Sequence, residues 1–190
     1  MTFVALVDGI SNFIGKAKMS KIPSLDLLVV AGAPGSGKTT VCDLLYKTLQ
    51  SPYIDFGDVR NFHLDRHWSN QSEEEEQMSF ENLVYILKNY IRYGYKNIIL
   101  NDLKDFRVQQ IPQLFAGHNY LIATLVVESD DELAIRIKAR KSGFTNVEGA
   151  LEWNKNIRQR PVLPREHRID NMHNSPHQTA DIILNIAREI

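Results

Sequence analysis

Apolar positions along this chain recur in two different periods, and the alternation between them predicts strands and helices in turn. Leu27-Leu28-Val29-Val30 is a continuous apolar run, the pattern of a strand buried on both faces. Val41, Leu44, Leu45 and Leu49 then recur at helical spacing. Tyr53-Ile54-Asp55-Phe56 reads as a short second strand. Ser72, with Glu75 three residues on, reads as a capping box that opens the longest helix. Its acidic first turn, Glu73 to Glu76, suits the helix dipole. Phe80, Leu83, Val84, Leu87, Tyr90 and Ile91 form its buried stripe, and Gly94 its C-terminal cap. The acidic run therefore has a structural explanation and is not read as a metal site.

Asn97-Ile98-Ile99-Leu100 is a third strand, followed by a short helix around 108–115 whose regularity Pro112 limits. Leu121 to Val127 is a fourth strand, and a helix over Asp130 to Lys141 follows it. A loop with Gly143 leads to a helix from about Val147 to Arg160. His167-Arg168-Ile169-Asp170 is a weak fifth strand. The last helix starts at Ser175, with Pro176 at N1 and Gln178 at N3, and buries Ile182, Ile183 and Ile186. Strands alternating with helices imply a largely parallel sheet covered on both faces.

A chain of 190 residues suits one compact α/β domain. We read 25–190 as that domain and 1–24 as an amphipathic extension. Phe3, Val7, Ile10 and Ile14 share one helical face, which predicts a helix docked on the body or on a second subunit, giving a homodimer. No apolar run reaches the roughly 20 residues of a membrane span, and the N-terminus lacks the basic start of a signal peptide. The single cysteine, Cys42, excludes an internal disulfide and a cysteine-based zinc site. A reducing cytoplasm suits that usage. A net charge of -1 gives no argument for nucleic acid as a partner.

The chemistry concentrates after the first strand. Gly32-Ala33-Pro34-Gly35-Ser36-Gly37-Lys38-Thr39 fits G-x-x-x-x-G-K-S/T at every fixed position, between a buried strand and an amphipathic helix. Glycines let backbone N–H groups close around phosphate oxygens, and the following helix presents its positive N-terminus to the same anion. Lys38 is placed to reach the β- and γ-phosphates, Thr39 to offer its hydroxyl to Mg²⁺, and Thr40 extends the segment. A guanine-reading N-K-x-D is absent, since Asn154-Lys155-Asn156-Ile157 lacks the aspartate. An AAA-type motor usually carries an acidic pair after an apolar strand. Here Leu100 is followed by Asn101-Asp102-Leu103, so that class is set aside. Asp102 either holds Mg²⁺ through water or caps a turn.

The G-A-P-G-S-G-K-T-T run, the short sheet and the arginine-bearing region after the fourth strand resemble the P-loop small-molecule kinases, a group with nucleoside-monophosphate, shikimate, gluconate and zeta-toxin kinases. The resemblance covers about 25–190. It implies a three-layer α/β/α P-loop NTPase fold with a five-stranded parallel sheet in order 2-3-1-4-5, a short lid at about 136–160, and γ-phosphoryl transfer from ATP with Mg²⁺ to a small-molecule acceptor (nucleotide, nucleoside or sugar acid). In those kinases the segment after the second strand faces the acceptor. Here that places Asp58 first and Asp55 second as the carboxylate orienting an acceptor hydroxyl. Arg60 could grip an acidic acceptor, and His63 and His67 could contact it. The alternative is a turn aspartate beside a surface cation. The segment 55–67 holds no arginine pair that matches the monophosphate-binding site of adenylate or cytidylate kinases. By the same resemblance, Arg136 and Arg140 would touch ATP, Arg158 would approach the transferred group, and backbone near Asn171 to Asn174 would meet adenine. A solvated basic face paired with Asp130, Asp131 and Glu132 is the plainer account of those arginines. Trp68 and Trp153 read as packing residues. Two other functions share this motif: a kinase acting on a macromolecule, and an ATP-dependent regulatory or binding module.

Overall fold

The computed structural model describes residues 22–65 and 70–190. The expected N-terminal helix, with the homodimer read from it, lies outside the described residues, as do His67 and Trp68. Five strands form one sheet: β1 (Leu27–Gly32), β2 (Tyr53–Asp55), β3 (Ile98–Asn101), β4 (Tyr120–Val126) and β5 (Glu166–Asp170). All four pairings are parallel, and the spatial order is β2-β3-β1-β4-β5. The expected order is therefore met. It puts β1 at the centre of the sheet with its C-terminal end at the phosphate loop.

Successive residues of β1 point to opposite faces. Leu27, Val29 and Ala31 join a core with α2 (Phe56–Arg60), α3 (Glu73–Arg92), α4 (Asp105–Val108) and α5 (Ile111–Leu114). Leu28 and Val30 join a second core with α1 (Lys38–Leu49) and α8 (Pro176–Glu189). The continuous apolar run in the sequence follows from this double burial. A third, smaller cluster of Val127, Leu133, Ile137 and Ala150 seats α6 (Asp130–Lys138) and α7 (Val147–Gln159) on the end of β4.

Several local expectations change. Phe56 does not extend β2. Asp55 is the N-cap of α2, and its Oδ1 accepts from Gly57 N at 2.9 Å, so the chain turns into a helix there. The helix expected over 108–115 is two short helices instead, with Pro112 opening the second. Helix α6 stops at Lys138 rather than Lys141. The capping box at Ser72 is half formed. Ser72 Oγ accepts from Glu75 N at 3.0 Å, but the Glu75 carboxylate turns inward to Ser79 and Arg60. Ser175 and Gln178 form the full reciprocal box. The end of α3 closes as expected. Gly94, at φ 85°, donates to Ile91 O and Tyr95 donates to Tyr90 O.

One buried side chain ties α7 to the sheet. Asn154 of α7 accepts from Val127 N at 3.2 Å and donates to Val127 O at 2.7 Å. It satisfies a backbone pair that has just left the β4 ladder. Asn154→Ala orphans both groups in a site with no solvent exposure and is expected to lower unfolding free energy by about 3 kcal/mol, measured by urea titration.

Candidate active site at the C-terminal edge of the sheet

The phosphate loop links β1 to α1. Gly32, Gly35 and Gly37 hold φ of 140°, 83° and 96°, values that side-chain-bearing residues rarely adopt. Each glycine is also pressed from outside. A Cβ on Gly32 would lie 2.3 Å from Leu125 O, one on Gly35 2.9 Å from the Leu133 and Ile137 side chains, and one on Gly37 2.8 Å from Asn171 Nδ2. The loop is thus wrapped by β4, by α6 and by the segment after β5. Ser36 Oγ is buried without a hydrogen-bond partner. A polar atom left over inside a glycine cradle fits a phosphate chain that brings its own acceptors.

Lys38 Nζ donates to Ala33 O at 3.0 Å. Burial pushes its amine down to about 8, with the Asp102 charge opposing that shift. Thr39 and Thr40 are exposed at the start of α1. Asp102 follows β3 at φ 66°, a left-handed turn that aspartate tolerates better than most residues. The turn brings Asp102 back over the start of α2: a Cβ on Gly57 would sit 3.3 Å from Asp102 Oδ2 and 3.1 Å from Asp55 Oδ1. Asp55 Oδ2 accepts from Asn101 Nδ2 at 3.3 Å.

Asp55, Asp58 and Asp102 therefore gather beside Lys38. Partial burial raises the Asp55 pKa, and the charges of Asp102 and Asp58 raise it further. Partial burial also raises Asp102, against the lowering effect of Lys38, Arg60 and Arg140. Asp58 is exposed on the first turn of α2, and its charge is felt at both partners. Among the described residues no group of three or more His, Cys, Asp or Glu is placed to hold a metal alone.

The acceptor-side residues divide. Arg60 is buried at the end of α2, and its Nη2 donates to Gln71 Oε1 at 3.0 Å and Glu75 Oε2 at 3.1 Å. His63 lies further out, its Nε2 3.4 Å from Asn82 Nδ2. Arg107, which sequence reasoning missed, is ion-paired to Glu76 and lies over the Phe80 ring. A cleft of about 760 Å³ is lined by Arg60, Arg107, Lys104, Phe106, Glu73 and Glu74, among others. The two arginines come from different crossovers, 47 positions apart in the sequence (107 − 60), so no local pattern shows them as a pair.

The arginines after the fourth strand also divide. Arg140 is exposed after α6, and its charge is felt at Lys38 and Asp102. Arg136 instead grips Glu132 Oε1 at 2.7 Å, Asn171 O at 3.0 Å and Met172 O at 2.9 Å. Arg158 donates to Glu128 O at 2.7 Å and to Asp130 Oδ1 at 3.0 Å, at the foot of α6. Trp153 packs edge-on against Phe144.

Residues 28–150 match the model of a family described as AAA domain. A protein of Thermococcus onnurineus (strain NA1) named "Putative adenylate kinase" is 25% identical over 166 residues, spanning 85% of this chain and 84% of that one. A gluconokinase from Sinorhizobium meliloti 1021 superimposes with a TM-score of 0.63 at 15% identity, covering 89% of this chain and 94% of its own. The thymidylate kinase of Candida albicans does so with 0.58 at 16%, covering 89% and 93%. At those identities the two structures establish the fold, which is that of the P-loop kinases. The family name bears on the AAA class set aside above. The chain does belong with that name, while the position beside Asp102 remains an amide: Asn101 donates to Tyr53 Oη and Asp55.

Because the Lys38 amine loses its proton near pH 8, affinity for ATP is expected to fall as pH rises above 8, by up to about tenfold per unit. A Lys38→Arg variant should lose that dependence. Equilibrium titrations with a fluorescent ATP analogue between pH 7 and pH 10 measure both.

Proposed function

Since the chain belongs to the AAA domain family and has the P-loop kinase fold, we propose that it is an ATP-dependent phosphotransferase acting on a small acceptor that carries both an anionic group and hydroxyls. The observation that supports this most is the cleft lined by Arg60, whose charge is also felt at Asp102. Arg60 and Arg107 present guanidinium groups there, each oriented by a buried glutamate, while Glu73 and Glu74 stand on the same lining. Guanidinium forks suit a phosphate or carboxylate, and glutamate oxygens accept from hydroxyls. A sugar acid and a nucleoside monophosphate both meet that description.

The roles follow from position. Residues Gly32 to Thr40 hold the triphosphate, with Lys38 at its outer phosphates. Thr39 and, through water, Asp102 would hold Mg²⁺. Bound MgATP supplies the phosphoryl group with its charge partly neutralised. Asp58 orients the acceptor hydroxyl and receives its proton; Asp55, whose raised pKa favours proton uptake, is the second candidate. Arg140 adds positive charge where negative charge develops on the transferred group. Arg158 is a catalytic candidate only if its contacts with Glu128 and Asp130 open.

Mg²⁺-ATP with a panel of nucleosides, nucleoside monophosphates, shikimate, gluconate and polyols tests the reading through ADP release. Turnover should depend on one acceptor class and vanish in Lys38→Ala. Asp58→Asn is expected to lower kcat by about 10² or more, the usual scale of a lost general base, with the ATP KM little changed. Turnover confined to acceptors without an anionic group would count against the assigned cleft. ATP binding without any acceptor-dependent turnover would favour a regulatory module.

A second variant addresses the cleft. Arg107→Lys keeps a charge opposite Glu76 but not the fork. It should raise the acceptor KM about tenfold, the scale of one strong hydrogen bond, and leave the ATP KM unchanged.

A further inference from the structure

Asn171 follows β5, and its side chain reaches back to the phosphate loop. Asn171 Nδ2 donates to Ser36 O at 2.7 Å, in a buried contact between residues 135 positions apart. The amide is itself fixed on every side. Thr179 Oγ1 of α8 donates to Asn171 Oδ1. Asn171 N donates to Val126 O at 2.8 Å, at the end of the β4 ladder. Arg136 holds Asn171 O and Met172 O from α6.

The consequence lies in peptide geometry. In a trans peptide the carbonyl of one residue and the N–H of the next point in opposite directions across one rigid plane. A Ser36 carbonyl drawn outward to Asn171 therefore turns the Gly37 N–H toward the interior of the loop. Gly37 cooperates, since at its φ of 96° a Cβ would meet Asn171 Nδ2 at 2.8 Å, which leaves no room for a side chain. We propose that Asn171 is a positioning residue for the triphosphate: its amide sets the Ser36–Gly37 peptide plane, and Thr179 and Arg136 hold Asn171 in place for that task. This rests on the phosphate loop holding a triphosphate, and it gives the segment after β5 a part beyond the expected contact with adenine. Two of the five Arg136 N–H donors are then engaged in the brace, and a third holds Glu132. Through Arg136 the brace also joins the loop to the helix that carries Arg140.

The test is equilibrium binding to the full chain of three Mg²⁺-loaded probes: ATP, GTP and inorganic tripolyphosphate. Asn171→Asp replaces the donor with a carboxylate oxygen facing Ser36 O. It should weaken all three probes alike, by about tenfold or more. Thr179→Val is nearly isosteric and removes only the hydroxyl that orients the amide. It should weaken all three by a smaller common factor, about threefold, while Thr179→Ser keeps wild-type affinity. A brace predicts an unchanged ratio of ATP to GTP affinity. Loss of ATP binding with GTP and tripolyphosphate unaffected would assign Asn171 to the base and overturn the proposal. So would lowered thermal stability with unchanged affinity for all three. If Asn171→Asp does not fold, Thr179→Val against Thr179→Ser decides. If the wild-type chain binds none of the probes, the phosphate-loop reading falls and this inference with it. Wild-type binding that both variants retain sinks this inference alone.

Discussion

A triphosphate concentrates several negative charges in a small volume, and a protein can surround it closely only with backbone N–H groups that converge. That demand fixes much of this molecule. Three glycines turn the chain between β1 and α1 through backbone angles other residues avoid. Such a turn is held by what surrounds it. Here the carbonyl of Leu125, the side chains of Leu133 and Ile137, and the amide of Asn171 each occupy the space a Cβ would need. The central place of β1 makes this wrapping feasible, because β4 and the loop after β5 lie on one side and the β3 edge on the other.

The buried ion pairs around Arg60 and Arg107 follow a different physical rule. Buried charges are costly unless paired and hydrogen-bonded. Glu75 and Glu76 stand in the first turn of α3, where the helix dipole favours anions, yet both are buried and neither serves the dipole alone. Each holds an arginine, Arg60 from α2 and Arg107 from α4. Each guanidinium group is thereby fixed in orientation, and under the proposed function that lowers the entropic cost of binding an acceptor. A third network pairs its charges in the same way. Arg160 at the end of α7 bridges Asp105 and the enclosed Glu166, whose carboxylate it holds below the usual range together with Thr124 and Leu163 N.

Between these two regions lies a balance of charge. Asp102 and Asp58 raise the affinity of Asp55 for protons and Asp58 raises that of Asp102, while Lys38, Arg60 and Arg140 oppose the rise at Asp102. Lys38 gains from Asp102 but loses more to its surroundings.

By itself the sequence determined whatever depends on neighbours along the chain. The phosphate-loop motif, the double-faced apolar run of β1, the Ser175–Gln178 box and the Gly94 cap are all rules of short range, and each appears in the structure. Short-range rules also gave wrong answers where a distant partner intervened, as at Glu75, whose carboxylate left its cap for Arg60. The sheet order came through resemblance rather than periodicity. Only the tertiary structure decided which groups the polar side chains meet: Asn171 the Ser36 carbonyl, Arg107 the Glu76 carboxylate, Asn154 the Val127 backbone. Their partners lie tens of residues away, and a hydrogen bond's direction depends on where two separate elements are packed. Periodicity records which face of an element is buried, but it carries no record of which other element will be lying there.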